Sequence, residues 1–198
     1  MDRFVKVKSK AIPVRYNDLD TDQIIPAQFL TSVDRSGYGA NLFRRLKDND
    51  PDFPFNQAAY QDASIMLTGA NFGCGSSREH AVWAITGAGV KVVIAESFAD
   101  IFFNNSAKNG LLLVELPKEA IDRLTESAGE IEVDLESQTV KNEKGDCFSF
   151  SYDPFRKHCL LQGLDDIDYI MSMEADIDRH RDAARKDWMK SLTMETSR

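Results

Sequence analysis

Val5, Val7, Ile12 and Val14 alternate with basic or polar positions, a period of two that predicts one or two half-buried strands. An irregular acidic stretch follows, Asp18-Leu19-Asp20-Thr21-Asp22. Asp48 to Phe55, with two prolines and three aspartates, reads as a surface loop. From about Ala63 the pattern changes. Short apolar runs predict strands over Ser64 to Thr68, Lys91 to Ala95 and Leu111 to Glu115. Helical spacing lies between and after them. It covers Ser77 to Ala88, with Ala81, Ala84 and Ile85 on one side, then Phe98 to Ala107 with aromatic residues inward, then Lys118 to Ser127 after Pro117. A glycine-rich turn, Gly69 to Gly75, joins the first of these strands to the first helix. Strands alternating with helices imply parallel βαβ units, and so an α/β fold. After Gly129, Glu130 to Leu135 and Phe148 to Tyr152 alternate again, which predicts an added β-hairpin. Asp165 to Trp188 is helical and increasingly charged. Ile167, Ile170, Met171 and Ile177 are its expected buried contacts.

Composition narrows the function. The 198 residues allow one substantial core, with about 165–198 as a charged helical extension of a single domain. The net charge of −8 argues against nucleic acid, which requires a basic footprint. It leaves an anionic substrate open, because a few arginines can reverse the potential inside a cleft. No apolar run approaches the roughly 20 residues that span a bilayer, so no membrane partner is expected. Met1-Asp2-Arg3-Phe4 carries no signal-peptide core. Cys74, Cys147 and Cys159 are too scattered for a disulfide framework, and a cytoplasmic protein with reduced thiols is expected.

The most informative segment is Gly69-Ala70-Asn71-Phe72-Gly73-Cys74-Gly75-Ser76-Ser77-Arg78-Glu79-His80-Ala81. Its glycines permit backbone conformations that a Cβ would obstruct. Ser76, Ser77 and Arg78 fall where a helix begins, and free N–H groups there favour a carboxylate. Ser76 and Glu79 also read as an S-x-x-E capping box, which would give both a purely structural task. A nucleotide-binding module is the alternative of another class. The spacing, however, is neither G-x-G-x-x-G nor G-x-x-x-x-G-K-[ST].

The string NFGCGSSREHA closely resembles the signature of the swivel domain in the aconitase superfamily. Asp20 to Ala27, DTDQIIPA, resembles the small-subunit signature of isopropylmalate dehydratases, and Asp153 to Ile167, DPFRKHCLLQGLDDI, is similar to the bacterial small subunit near its C-terminus. The three matches keep the family order and span nearly the whole chain. The resemblance implies a swivelling β/β/α domain with parallel βαβ units. It also implies isomerisation of 2-isopropylmalate to 3-isopropylmalate by loss and return of water, as one step of leucine biosynthesis. Related hydro-lyases of the homoaconitase or methylmalate/citraconate type share the chemistry and differ in substrate side chain.

What the resemblance implies for residues is specific. Ser76 matches the catalytic serine, whose alkoxide takes a carbon-bound proton beside a carboxylate. Ser77 and Arg78 match residues that hold substrate carboxylate. Arg35 lies about where related hydratases carry another carboxylate-binding arginine, and Leu30 falls in the region that selects the substrate side chain. Asp22, Asn71, Gly75 and His80 are expected to support the site. The leaving hydroxyl needs a Lewis acid. In the family this is a [4Fe–4S] cluster on a separate large subunit, so the implied partner is that subunit, in a heterodimer or higher heteromer, with no cofactor or metal on this chain. Cys74 reads as a packing residue and Cys159 as core, Glu79 as a capping or hydrogen-bonding residue, and His158 and His180 as surface or locally bonded. Asp18, Asp20 and Asp22 resemble part of a calcium loop but lack its glycine and closing glutamate. The loop Thr31 to Gly39 has little to bury and is expected to be poorly ordered without a partner.

Overall fold

The computed structural model describes residues 1–30, 37–127 and 129–195, with side chains as far as residue 184. Two compact units are present, Met1–Gly163 and Leu164–Arg198.

Unit 1 is built on a seven-stranded sheet whose strands, β1 (Lys6–Val14), β2 (Ile65–Thr68), β3 (Val92–Ala95), β4 (Leu112–Glu115), β5 (Glu130–Asp134), β6 (Thr139–Asn142) and β7 (Cys147–Ser149), lie in the order β4-β3-β2-β1-β5-β6-β7. The central strand β1 (Lys6–Val14) divides its pairing. Its first half, Lys6 to Lys10, runs antiparallel to β5 (Glu130–Asp134), and Ala11 to Val14 run parallel to β2 (Ile65–Thr68). The alternation seen in the sequence explains the first half. Lys6, Lys8 and Lys10 point to solvent, where Lys6 pairs with Glu132 and Asp134 and Lys8 with Glu130 across the strands. Pro13 falls in the other half, which has a neighbour on one side only, a position where a strand tolerates proline.

Strands β2, β3 (Val92–Ala95) and β4 (Leu112–Glu115) are mutually parallel and nearly wholly buried. Their continuous apolar runs are what burial on both faces requires. Met66, Val93 and Leu113 face one core with Ile12 and Val14; Ile65, Leu67, Val92, Ile94, Leu112 and Val114 face the other. Helices α3 (Glu79–Gly87) and α4 (Asp100–Lys108) cover the first face, and α5 (Lys118–Glu126) the second. Ala81, Val82, Ala84 and Ile85 of α3 are fully buried, on the side the helical spacing predicts.

Several expectations are corrected. The added hairpin is a three-stranded meander of β5, β6 (Thr139–Asn142) and β7 (Cys147–Ser149). Strand β6 escapes the pattern because Val140 is its only apolar residue and its second inward position is a buried asparagine, Asn142, satisfied by Asp146. The segment Asp48 to Phe55 is not merely a surface loop. It begins in α2 (Arg44–Asn49) and is pinned by Phe53, which is fully buried against Phe43 and Phe55. Asp153 N-caps a helix, α6 (Pro154–Gln162), that closes unit 1. Unit 2 consists of α7 (Asp166–Ser172) and α8 (Glu174–Glu195). Its expected buried contacts are exposed: Ile167 71%, Ile170 55%, Met171 60% and Ile177 47%. Helical spacing reports an apolar stripe and says nothing of what covers it.

Candidate active site

Because β1, β2 and β3 are parallel, their carboxyl ends open at one edge of the sheet, where ligands bind in α/β folds. Three loops meet there: Arg15 to Asp20 after β1, Gly69 to Arg78 after β2, and Glu96 to Ala99 after β3. The second is stitched to both others by backbone hydrogen bonds. The N–H of Asp18 donates to Ala70, that of Gly73 to Leu19 and that of Thr21 to Cys74; the N–H of Phe72 donates to Ser97. Asn71 sits in the left-handed region at φ 55°, a conformation that asparagine tolerates. Its amide side chain donates to the Asp18 carboxylate at 2.7 Å and its backbone N–H to Ser97 Oγ at 2.8 Å. Gly73, at φ +79°, has no room for a side chain, since a Cβ would lie 2.3 Å from the Phe102 ring. Gly75 turns the chain at φ +89° and delivers Ser76.

Ser76 and Ser77 are exposed. The Ser76 carbonyl is held twice, by the Thr21 hydroxyl at 3.0 Å and the Arg78 N–H at 2.8 Å. Among the described residues its own hydroxyl has no hydrogen-bond partner. The capping box does not form. Helix α3 begins at Glu79 with Arg78 in the N-cap position, so Ser76 stands two residues ahead of the cap. The backbone after Gly75 turns through a tight Ser76–Arg78 bond before the helix starts, and the S-x-x-E spacing is therefore not spanned by a helical turn. Glu79 accepts instead from the Asn109 side chain at 2.8 Å.

Asp22 organises the cations. One carboxylate oxygen accepts from the Arg78 guanidinium at 2.7 Å and from the Ala27 N–H at 3.0 Å; the other accepts from Arg45 at 2.6 Å. The Arg78 hydrogen bond, then the Ala27 N–H, hold this carboxyl below the usual range. Asp22 thus both orients Arg78 and secures the turn after Pro26. Asp20 N-caps α1 (Thr21–Ile24) through a capping box with Gln23. The three aspartates therefore engage different partners, and none converges with another on a cation.

Leu30 ends the turn after Pro26, partly buried against the first core beside Phe29. His80 anchors the helix start, its ring packed edge-on between Tyr38 and Trp83 at 5.3 and 4.7 Å. Tyr38, in a stretch expected to bury little, is 3% exposed and lies against α3, where Gly39 meets Gly87 too closely for a Cβ on Gly39. Arg35 and the rest of 31–36 lie outside the described residues. A neighbouring cleft of about 200 Å³ contains Arg15 and Lys118, but Asp122 engages both and Glu96 stands beside them. Sequence reasoning missed Arg45, because nothing in Arg44-Arg45-Leu46-Lys47 marks one arginine as reaching a carboxylate 23 positions away. It also missed Thr21, Ser97 and Asn109, polar residues whose partners on the loop and at the start of α3, Ser76, Asn71 and Glu79, are distant in sequence.

The cysteines do not fit a cluster on this chain. Cys74 is partly buried, its thiol pushed up by burial and set 3.5 Å from the Asp18 carbonyl; Cys147 is exposed and Cys159 buried. Among the described residues no three His, Cys, Asp or Glu side chains gather as metal ligands, and no helix is long and apolar enough to cross a membrane.

This sheet, with a glycine–serine loop at its parallel edge, is of one class: residues 1–119 match the Aconitase C-terminal domain family. A 3-isopropylmalate dehydratase small subunit from Francisella philomiragia is 54% identical over 175 residues, covering 86% of this chain and 92% of that one. The corresponding subunit from Dinoroseobacter shibae is 48% identical over 188 residues, covering 90% and 94%. The crystal structure of 3-isopropylmalate dehydratase (leuD) from Methanocaldococcus jannaschii superposes with a TM-score of 0.70 at 28% identity, covering 88% of this chain and 99% of that one. The chain belongs to the 3-isopropylmalate dehydratase small subunits.

Proposed function

We propose that this chain, paired with a large subunit, forms a hydro-lyase that converts 2-isopropylmalate to 3-isopropylmalate through isopropylmaleate, and that Ser76 is its catalytic base. The observation that carries the assignment is the setting of Ser76. Its backbone is clamped by Thr21 and Arg78 while its hydroxyl is exposed and not engaged by the described residues. A group that must meet a substrate proton needs that combination of fixed backbone and open side chain.

The proton lost lies on carbon beside a carboxylate, a weak acid that His or Glu matches poorly at neutral pH. A serine alkoxide is strong enough but is disfavoured unless positive charge and N–H groups surround it. Arg78 supplies the charge, two residues on and steered by Asp22. Ser77 and Arg78 receive the substrate carboxylate, joined by Arg35. Leu30 offers an apolar edge to a branched aliphatic group, which favours isopropylmalate over a malate bearing a further carboxylate. Asp22, Asn71, Gly75 and His80 hold this arrangement from behind. The [4Fe–4S] cluster is assigned to the large subunit, and a cytoplasmic location accords with this biosynthetic role.

The test is anaerobic reconstitution with the large subunit, following alkene formation from 2-isopropylmalate. Ser76→Ala is expected to lower kcat about 100-fold or more, the scale of a lost general base, with complex assembly retained. Near-normal turnover per assembled complex would place the base elsewhere.

A further inference from the structure

We infer that Arg45 is a positioning residue of this site, whose charge offsets Asp22 and so leaves a net positive charge around Arg78 toward the substrate. The inference rests on the reading of Ser77 and Arg78 as substrate-facing and adds a residue from another element to it.

The geometry is a three-membered chain of charges. Arg45 on α2 reaches one oxygen of Asp22 at 2.6 Å, and Arg78 reaches the other at 2.7 Å. An Asp22–Arg78 pair alone would be neutral. It would present no net attraction to a dicarboxylate, and the carboxylate would repel it. With Arg45 the trio sums to +1 − 1 + 1 = +1. The surroundings make that charge matter. Asp18 and Asp20 lie beside Cys74 of the loop, the Asp18 carbonyl 3.5 Å from its thiol and Asp20 bridged to its backbone, so the floor of the site carries acidic side chains. Among the described residues, Asp18 is matched only by the neutral Asn71 amide, and Asp20 only by backbone N–H groups. Asp22 is the acidic residue of the three that touches a substrate-facing cation, and it is the one that Arg45 compensates.

Exposure separates the two arginines. The Arg78 side chain is 22% exposed and that of Arg45 55%. Arg78 is therefore the less hydrated cation, where a charge attracts an anion more strongly, and Arg45 the solvent-side partner that balances its counter-ion. Arg44, its sequence neighbour, pairs with Asp48 on the same helix and cannot substitute for it at Asp22 without giving up that contact.

The experiment uses the assembled two-subunit enzyme with Arg45→Gln and Arg45→Lys. Glutamine removes the charge and lysine keeps it. Arg45→Gln is expected to raise KM for 2-isopropylmalate about fivefold, the upper range for a partly exposed ion pair, with kcat changed less than KM. Its affinity for a non-reacting dicarboxylate, measured by titration calorimetry, should fall by a similar factor and lose part of its salt dependence. Arg45→Lys should recover most of both. Unchanged KM and affinity in Arg45→Gln, or equal losses in the glutamine and lysine variants, would overturn the inference. Loss of thermal stability with binding intact would do the same. Failure of the underlying reading shows elsewhere: it would leave Arg78→Gln with normal KM and anion affinity, whereas failure of the inference alone would leave Arg78→Gln impaired and Arg45→Gln unchanged.

Discussion

Ser76 stands ahead of the helix rather than on its cap, so substitution there separates chemistry from folding. A Ser76→Ala change removes no capping bond, and its thermal stability should stay within about 0.5 kcal/mol of the parent, as for a surface position away from special features. A loss approaching the roughly 1 kcal/mol of a lost N-cap would show that α3 begins earlier in solution. Asp22 makes a second prediction at this scale. Arg78 holds its carboxyl below the ordinary value of 3.8. A depressed folded-state pKa contributes stability that is present above the unfolded value and lost as pH falls through the folded one. Asp22→Asn should therefore be less stable near neutral pH and have a shallower acid limb below about pH 4. Denaturation midpoints across that range would check it, and parallel pH profiles for the two proteins would contradict it.

At the scale of elements, the loop after β2 depends on a glycine for its path and on α4 for its support. A Cβ at Gly73 would meet Phe102 at 2.3 Å from a backbone already at φ +79°. The left-handed conformation costs a residue with a Cβ roughly 1–2 kcal/mol and overpacking adds about 1–3. Gly73→Ala should accordingly lose about 2–5 kcal/mol by denaturant titration, and activity should fall further because Ser76 is displaced. A fully stable Gly73→Ala would mean that Phe102 yields freely. The same packing explains how distant aromatic residues serve the site. Phe72, Phe98 and Phe102 form one edge-and-stack cluster beneath the loop, and Tyr38, His80 and Trp83 form another at the start of α3.

At the scale of the whole molecule, the proposed function makes the chain one wall of a site shared with a large subunit. Its glycine–serine loop lies at the sheet edge with Ser76 and Ser77 exposed, and its described residues gather no cluster ligands. The purified chain alone should hold no stoichiometric iron or sulfide and show no dehydratase activity, both appearing on addition of the large subunit. Metal analysis and the alkene assay would check this. A brown preparation of the lone chain, bleached by Cys74→Ser, would contradict it.

The sequence by itself determined the alternation of strands and helices from β2 to α5, the inward side of α3 and the identity of the serine loop. Those features are written in local periodicity and in a contiguous string, NFGCGSSREHA. It did not determine that Ser76 precedes the helix, because a capping box and a tight turn share the same spacing. Nor did it reveal β6, whose single apolar residue gives no alternation, or the exposure of Ile167 and Ile170, since a stripe does not name its cover. The meeting of Asp22, Arg45 and Arg78 was decided by tertiary structure alone. Asp22 and Arg78 are 56 positions apart and become partners because β1 and β2 run parallel, which brings the loops after both strands to one edge.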